Sequence, residues 1–212
     1  MSFSFAFRLL PRAICGKFSF MKRIFVAIDI SERARRKASE YIESLRRRFP
    51  ELRVGWDKYE KLHLTLKFLG DTSDEQLEKL TKAVEKAARE ISGFKLRIAD
   101  TGVFPNQRKA RVLWLGVQDE KGSLRKLSEA LENECERQGF VREKRDFKAH
   151  LTIARLREPE KSKNLVEAHL QEKFEAVEFE VSEVVIYQSE LLPQGSRYTI
   201  VSKHALDSSG EL

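Results

Sequence analysis

The sequence predicts a mixed fold of strands and helices, α/β or α+β, built as one unit of two lobes. Three observations predict it. Runs with strand-type alternation are interspersed with amphipathic helical runs along the whole chain. A histidine-bearing strand pattern occurs twice, 87 positions apart (150 − 63). No low-complexity linker divides the 212 residues, a length that fits one medium domain with a core of its own.

Ile24, Val26, Ile28 and Ile30 alternate with Phe25, Ala27 and Asp29, as a strand does. Ser31 caps a helix with apolar positions Ala34, Ala38, Tyr41, Leu45 and Phe49, and Pro50 ends it. Two short strands follow, around Arg53–Trp56 and Leu62–Leu69, and Gly70-Asp71 reads as a turn. Ser73 with Gln76 makes a capping box ahead of Leu77, Leu80, Val84, Ala87, Ala88 and Ile91. Gly93 terminates that helix, Lys95–Val103 reads as a strand, and Phe104–Lys109 as a loop. Val112–Val117 is rich in strand formers. Lys121-Gly122-Ser123 opens a helix with Leu124, Leu127, Leu131 and Cys135 on one face, and Gly139 stops it. A strand at about Ala149–Leu156 and a short helix near Lys163–Leu170 come next. Two last strands, Ala176–Tyr187 and Arg197–His204, are joined by a turn at Pro193-Gln194-Gly195.

Composition narrows the function classes. Forty Lys+Arg against 33 Asp+Glu give a net charge of +7, compatible with a nucleic-acid or phosphate-bearing partner without establishing one. Arg8, Arg12 and Lys17 supply three of those charges within an acid-free stretch, MSFSFAFRLLPRAICGKFSF. Its apolar part is broken by Ser, Arg and Pro, so residues 1–21 read as an N-terminal extension outside the fold, and residues 22–212 as a single bilobal domain. Two cysteines, Cys15 and Cys135, are too few for a disulfide framework or a zinc finger and point to a reducing compartment, the cytoplasm. No apolar run approaches the ~20 residues of a membrane span.

His63-Leu64-Thr65-Leu66 recurs as His150-Leu151-Thr152-Ile153. Strand parity puts His63 and Thr65 on one face and Leu62, Leu64, Leu66 and Phe68 on the other; His150 and Thr152 share a face opposite Leu151 and Ile153. Each strand thus presents an imidazole beside a hydroxyl, backed by hydrophobic anchors. If a pseudo-twofold relates two lobes, the two faces meet across one cleft. Imidazoles titrate near neutrality, so one can take a proton while the other gives one. Across a phosphodiester, one activates the attacking water and the other protonates the leaving oxygen. The threonine hydroxyls can hold non-bridging phosphate oxygens. A lone His-Leu-Thr matches by chance and more often marks a structural histidine. Here two of the chain's four histidines share the same tetrapeptide context. Metal-ligand spacing is missing from both copies, so no metal is expected. His169 and His204 read as incidental.

HLTLKFLG (63–70) and HLTIARL (150–156) resemble the two HxTx signature motifs of the two-histidine phosphoesterase superfamily, and within it the LigT-like RNA 2′,3′-cyclic phosphodiesterases, also called 2′-5′ RNA ligases. RIFVAIDI (23–30), GVFPNQRKARVLWLGV (102–117) and VVIYQSELLPQGSRYTIV (184–201) fall in the expected order. Ala149 stands where such proteins often have Pro. The resemblance implies a bilobal, duplicated α+β fold with antiparallel sheets lining a central cleft and helices outside. It implies cofactor-free and metal-free hydrolysis of RNA 2′,3′-cyclic phosphate ends to 2′-phosphomonoesters by a monomer that has no membrane partner. It also implies that His63 is the proton donor, His150 the proton acceptor, and Thr65 and Thr152 the phosphate-binding pair. The repeat itself is symmetric and does not tell acid from base.

Phe68 and Arg155 each lie five residues after their histidine, and the resemblance implies that they contact a nucleobase. Parity puts both on the face away from the imidazoles unless the strand bulges first. Without a bulge Phe68 reads as core. Lys58, Lys61 and Lys67 surround His63; Arg142, Lys144, Arg145 and Lys148 crowd the approach to His150. These clusters read as polyanion steering or as a solvated charged face. Three other readings stay open: 2′-5′ ligation in the same site, a cyclic phosphodiesterase for small nucleotide metabolites, and a non-catalytic RNA-end binding module.

Overall fold

The computed structural model describes residues 21–193 and 195–208. Residues 1–20 of the expected extension, with Cys15, lie outside the described residues, as does Gln194 of the expected turn. Among the described residues the chain runs β1 (Lys22–Asp29), α1 (Glu32–Arg48), β2 (Val54–Trp56), β3 (His63–Thr72), α2 (Asp74–Arg89), β4 (Phe94–Phe104), β5 (Val112–Gln118), α3 (Ser123–Arg137), β6 (His150–Leu156), α4 (Lys163–Gln171), β7 (Val177–Val181), β8 (Glu183–Leu192) and β9 (Gly195–Ala205). The class is α+β, with the strands in antiparallel pairs ordered β7-β4-β5-β6-β3-β1-β8-β9.

Two four-stranded halves, β7-β4-β5-β6 and β3-β1-β8-β9, meet between β6 and β3 at one paired position, Leu64 with Leu151. Beyond it β2 takes up the edge of β6, pairing Val54–Trp56 with Ala154–Leu156. The halves repeat each other residue by residue. In the β1–β3 ladder Asp29 pairs with His63, Ile28 with Leu64, Ala27 with Thr65, Val26 with Lys67 and Phe25 with Phe68. In the β5–β6 ladder Gly116 pairs with His150, Leu115 with Leu151, Trp114 with Thr152, Leu113 with Ala154 and Val112 with Arg155. Every residue of the second set stands 87 positions after its counterpart in the first. A pseudo-twofold axis therefore passes between Leu64 and Leu151.

One face of the sheet carries Ile24, Val26, Ile28, Leu64, Leu113, Leu115, Leu151 and Ile153, all buried with Ala34, Ala38 and Leu45 of α1, Leu80 and Val84 of α2, Leu124 and Leu127 of α3 and Leu165 of α4. The helices cover this face and leave the other to the cleft. Truncating a core leucine such as Leu64 or Leu151 to alanine costs about 2–5 kcal/mol. The predicted caps are present: Ser31 accepts from the Ala34 amide at 3.3 Å, and both bonds of the Ser73–Gln76 box are made. His169, fully buried, accepts at Nδ1 from the Tyr41 hydroxyl at 2.8 Å. Its Nε2–H donates to the Gly102 and Trp114 carbonyls at 3.1 and 3.2 Å, which ties β4 to β5.

Two boundaries differ from the sequence expectation. Gly70 and Asp71 do not form a turn; they continue β3, paired with Ile24 and Arg23. The single strand expected over Ala176–Tyr187 is two strands at different places in the sheet, β7 against β4 and β8 against β1. The buried positions change phase between them, from Val177, Phe179 and Val181 to Val184 and Ile186, and Ser182 is the break.

Candidate active site

His63 and Thr65 of β3 and His150 and Thr152 of β6 all project from the cleft face, because Leu64 and Leu151 between them point into the core. The Leu64–Leu151 pair brings the two histidine strands together at the pseudo-twofold, so His63 and Thr65 flank it from one side and His150 and Thr152 from the other.

Both imidazoles are oriented the same way. Nδ1 of His63 lies 2.6 Å from the Lys61 carbonyl, and Nδ1 of His150 lies 2.7 Å from the Lys148 carbonyl. A carbonyl only accepts, so Nδ1 carries the proton in each and Nε2 is left for the cleft. Thr65 Oγ1 lies 3.0 Å from Nε2 of His63 and donates to it when the ring is neutral. Lys61 and Lys148 share a second feature. Their ammonium groups sit over aromatic rings, Lys61 over Tyr198 at 5.9 Å and Lys148 over Trp114 at 4.6 Å and Phe104 at 5.4 Å.

Rings also hold the imidazoles. Phe25 stacks on His63 at 4.9 Å and Tyr198 meets it edge-on at 5.4 Å, while Phe104 meets His150 edge-on at 4.9 Å. Burial pushes the His63 imidazole down to about 4, against the Lys61 carbonyl and the Asp29 charge, which favour the protonated ring; Arg35 and Arg155 add to the depression. Burial also lowers His150, opposed by the Lys148 carbonyl and reinforced by Arg155 and the Lys148 ammonium. Both rings therefore rest neutral near pH 7.

Phe68 and Arg155 do reach the cleft. Each histidine strand carries one extra residue after its threonine, Leu66 in β3 and Ile153 in β6, so parity reverses. Burial shows the reversal: Leu66 and Lys67 are both buried, as are Ile153 and Ala154, and the next residue is exposed in each strand. Phe68 is 71% exposed beside Phe25, with ring centroids 5.9 Å apart, so the bulge takes it out of the core position that unbroken parity gives it. Arg155 is exposed, and its charge acts on His63, His150, Asp57 and Tyr198.

The same bulge removes Lys67 from the basic cluster around His63. It points into the core side, 6% exposed, and its ammonium donates to both Glu132 oxygens at 2.7 and 2.8 Å and to the Val141 carbonyl at 3.0 Å. On the other approach, Arg142 pairs with Glu136 and Arg145 with Glu143, so part of that positive charge is neutralised locally. The sequence reading missed Asp29, Phe25, Tyr187, Tyr198, Phe104 and Trp114 as cleft residues. For Phe25 and Asp29 the signal was present, since they fall in the phase opposite to Ile24, Val26 and Ile28.

The fold agrees with the comparisons. A family model described as the 2′-5′ RNA ligase superfamily matches residues 34–191. A protein of Methanothermobacter thermautotrophicus named RNA 2′,3′-cyclic phosphodiesterase is 36% identical over 179 residues, covering 84% of this chain and 95% of that one. A Thermotoga maritima protein of the same name is 34% identical over 180 residues, covering 84% and 92%. The crystal structure of Escherichia coli LigT complexed with 3′-AMP matches with a TM-score of 0.72 at 28% identity, over 88% of this chain and 98% of that one.

Proposed function

This chain belongs to the 2′-5′ RNA ligase superfamily, and from that premise we propose that it is an RNA 2′,3′-cyclic phosphodiesterase that opens the cyclic end to a 2′-phosphomonoester. The observation that carries the proposal is the pair of imidazoles with Nδ1 fixed on a backbone carbonyl and Nε2 turned to one cleft.

In this reading Nε2 of His150 takes a proton from water as the water oxygen attacks phosphorus. The P–O3′ bond breaks, and Nε2–H of His63 protonates the departing 3′-oxygen. The product carries the phosphate on O2′ and a free 3′-hydroxyl. Thr65 and Thr152 donate to the non-bridging oxygens and hold the phosphorus in line. The ring of Phe68 and the guanidinium of Arg155 take the base between them without reading its identity. Lys61 and Lys148 draw the anionic end to the cleft, with an attraction that weakens as salt rises. Substrate anion also supplies the counter-charge that protonation of the buried His63 requires. With an RNA 5′-hydroxyl in place of water and the two imidazoles keeping their roles, attack on the cyclic phosphate forms a 2′-5′ linkage and frees the 3′-hydroxyl; cleavage of that linkage is the reverse, with the roles exchanged.

In this proposal residues 22–212 act as a single domain and a monomer in the cytoplasm, and since one chain supplies both histidines no second copy is needed to complete the pair. Among the described residues no helix is long and apolar enough to cross a membrane. The test is turnover of an oligoribonucleotide with a 2′,3′-cyclic phosphate end, beside free 2′,3′-cyclic nucleotides. The proposal expects turnover of the oligomer, lost by about 10²-fold or more in His63→Ala and in His150→Ala. Binding with no turnover would make the chain an RNA-end binding module. Turnover restricted to free nucleotides would make it a metabolite phosphodiesterase.

A further inference from the structure

We propose that Asp29 is the positioning residue that makes the duplicated site asymmetric, a carboxylate beside His63 that has no counterpart beside His150 and that assigns His63 the role of acid. The inference rests on the two-imidazole reading above and deepens it. The repeated ladders assign each residue beside His63 a counterpart beside His150. Asp29, which pairs with His63 across β1 and β3, has Gly116 as its counterpart, which pairs with His150 across β5 and β6. Paired residues project on the same face, so the Asp29 side chain stands on the cleft side next to His63.

The carboxylate is held there. Arg35 Nη2 donates to Asp29 Oδ1 at 3.0 Å, and the Tyr187 hydroxyl lies 2.9 Å from both oxygens. Tyr187 in turn stacks on Phe25 at 5.2 Å, and Phe25 stacks on His63. The second half has no room for an equivalent. A Cβ at Gly116 would lie 2.8 Å from the Ala99 carbonyl oxygen, closer than real side chains come.

The charged neighbours of the two imidazoles differ accordingly. His63 faces Asp29 on β1, Arg35 on α1 and Arg155 on β6, and Asp29 is the group among these that favours its protonated form. His150 faces Arg155 and Lys148, which both favour its neutral form. Burial lowers both rings, and at His63 the carboxylate opposes that penalty. A neutral His150 is what a base requires, and an accessible imidazolium at His63 is what an acid requires. The two halves offer the same backbone and differ in one charge, the carboxylate that stands beside His63 and has a glycine as its counterpart beside His150.

The test is the titration of both imidazoles by NMR in the full chain, for the wild type, Asp29→Asn and Tyr187→Phe. Asparagine keeps an oxygen for Tyr187 and Arg35, so the ring stack is retained, and melting curves check it. Asp29→Asn is expected to lower the His63 midpoint and leave His150 where it was. Tyr187→Phe, which keeps the carboxylate, is expected not to lower the His63 midpoint. With the cyclic-phosphate oligoribonucleotide, kcat of Asp29→Asn falls about 10- to 100-fold with little change in KM. An unchanged His63 midpoint, or an equal shift at both histidines, overturns the assignment. The titration needs no substrate, so a wild-type chain inactive on cyclic phosphate defeats the functional reading and leaves the Asp29 result standing on its own.

Discussion

Leu64 and Leu151 face each other at the one paired position that joins the two halves of the sheet, and both are fully buried. Their contact sets the geometry of the cleft. Each leucine is flanked along its strand by a histidine and a threonine, and with the leucines fixed in the core all four flanking side chains must project to the opposite face. The catalytic arrangement proposed for this chain is thus a consequence of packing: a core contact on the pseudo-twofold turns two imidazoles and two hydroxyls to the same face of the sheet.

The hydroxyls are expected to act on the transition state. Thr65→Val and Thr152→Val keep the branched side chain that suits a strand and remove the donor. Each should lower kcat by about 10²–10³-fold, the typical loss of one donor to a developing oxyanion. Steady-state kinetics on a cyclic-phosphate oligoribonucleotide measures it, and a defect confined to KM would place the hydroxyls outside the reacting phosphate.

Phe68 and Arg155 are expected to act on binding. Loss of base stacking costs about 1–3 kcal/mol, so Phe68→Ala should raise KM with kcat little changed. Arg155→Gln should do the same and also reduce the dependence of KM on salt, since a cation of the cleft that attracts the polyanion is lost. Equal KM values for purine and pyrimidine ends would be consistent with a sandwich that reads no base edge.

Lys67 tests the bulge. Its ammonium and Glu132 are almost wholly buried, with side-chain exposures of 5% and 13%, and Glu132 also accepts the Glu143 backbone N–H at 3.2 Å. Removing one partner of a buried pair costs about 3–5 kcal/mol. Lys67→Met should therefore lower the melting temperature strongly, and Lys67→Met combined with Glu132→Leu should recover most of the loss. A neutral single substitution would mean that Lys67 faces solvent and that the strand keeps its simple alternation.

Stability should fall on mild acidification. His63, His150 and His169 are each lowered by burial, so the unfolded chain binds protons that the folded chain refuses. The stability this provides is complete above the ordinary imidazole value of about 6.5 and is lost as pH falls toward the folded value, about 4 for His63. Thermal melts between pH 7 and 5 should show a steady decline that is shallower in His63→Gln. A melting temperature that rises over that interval would contradict the burial of these rings.

The histidine repeat, the helix caps and the core phases were readable because each is a local pattern. The bulges were not. Leu66-Lys67 and Ile153-Ala154 look like ordinary continuation of a strand, and an extra residue shows only against a partner strand. Lys67 reads as a surface lysine because its counter-ion, Glu132, lies 65 residues away. The break at Ser182 was legible in the phase change between Val181 and Val184, yet the separation of β7 from β8 across the sheet depends on β4 and β1, which no local pattern names. The asymmetry between the halves is a property of paired positions such as Asp29 and Gly116 and becomes visible only when the ladders are aligned.

The most direct measurement of the central claim is the identity of the product formed from a 2′,3′-cyclic-phosphate oligoribonucleotide by the purified chain in the presence of EDTA. The two-imidazole account, with His63 protonating the 3′-oxygen, predicts undiminished turnover and a 2′-phosphomonoester with a free 3′-hydroxyl. A 3′-phosphate product, or activity abolished by EDTA and restored by a divalent metal, would contradict it.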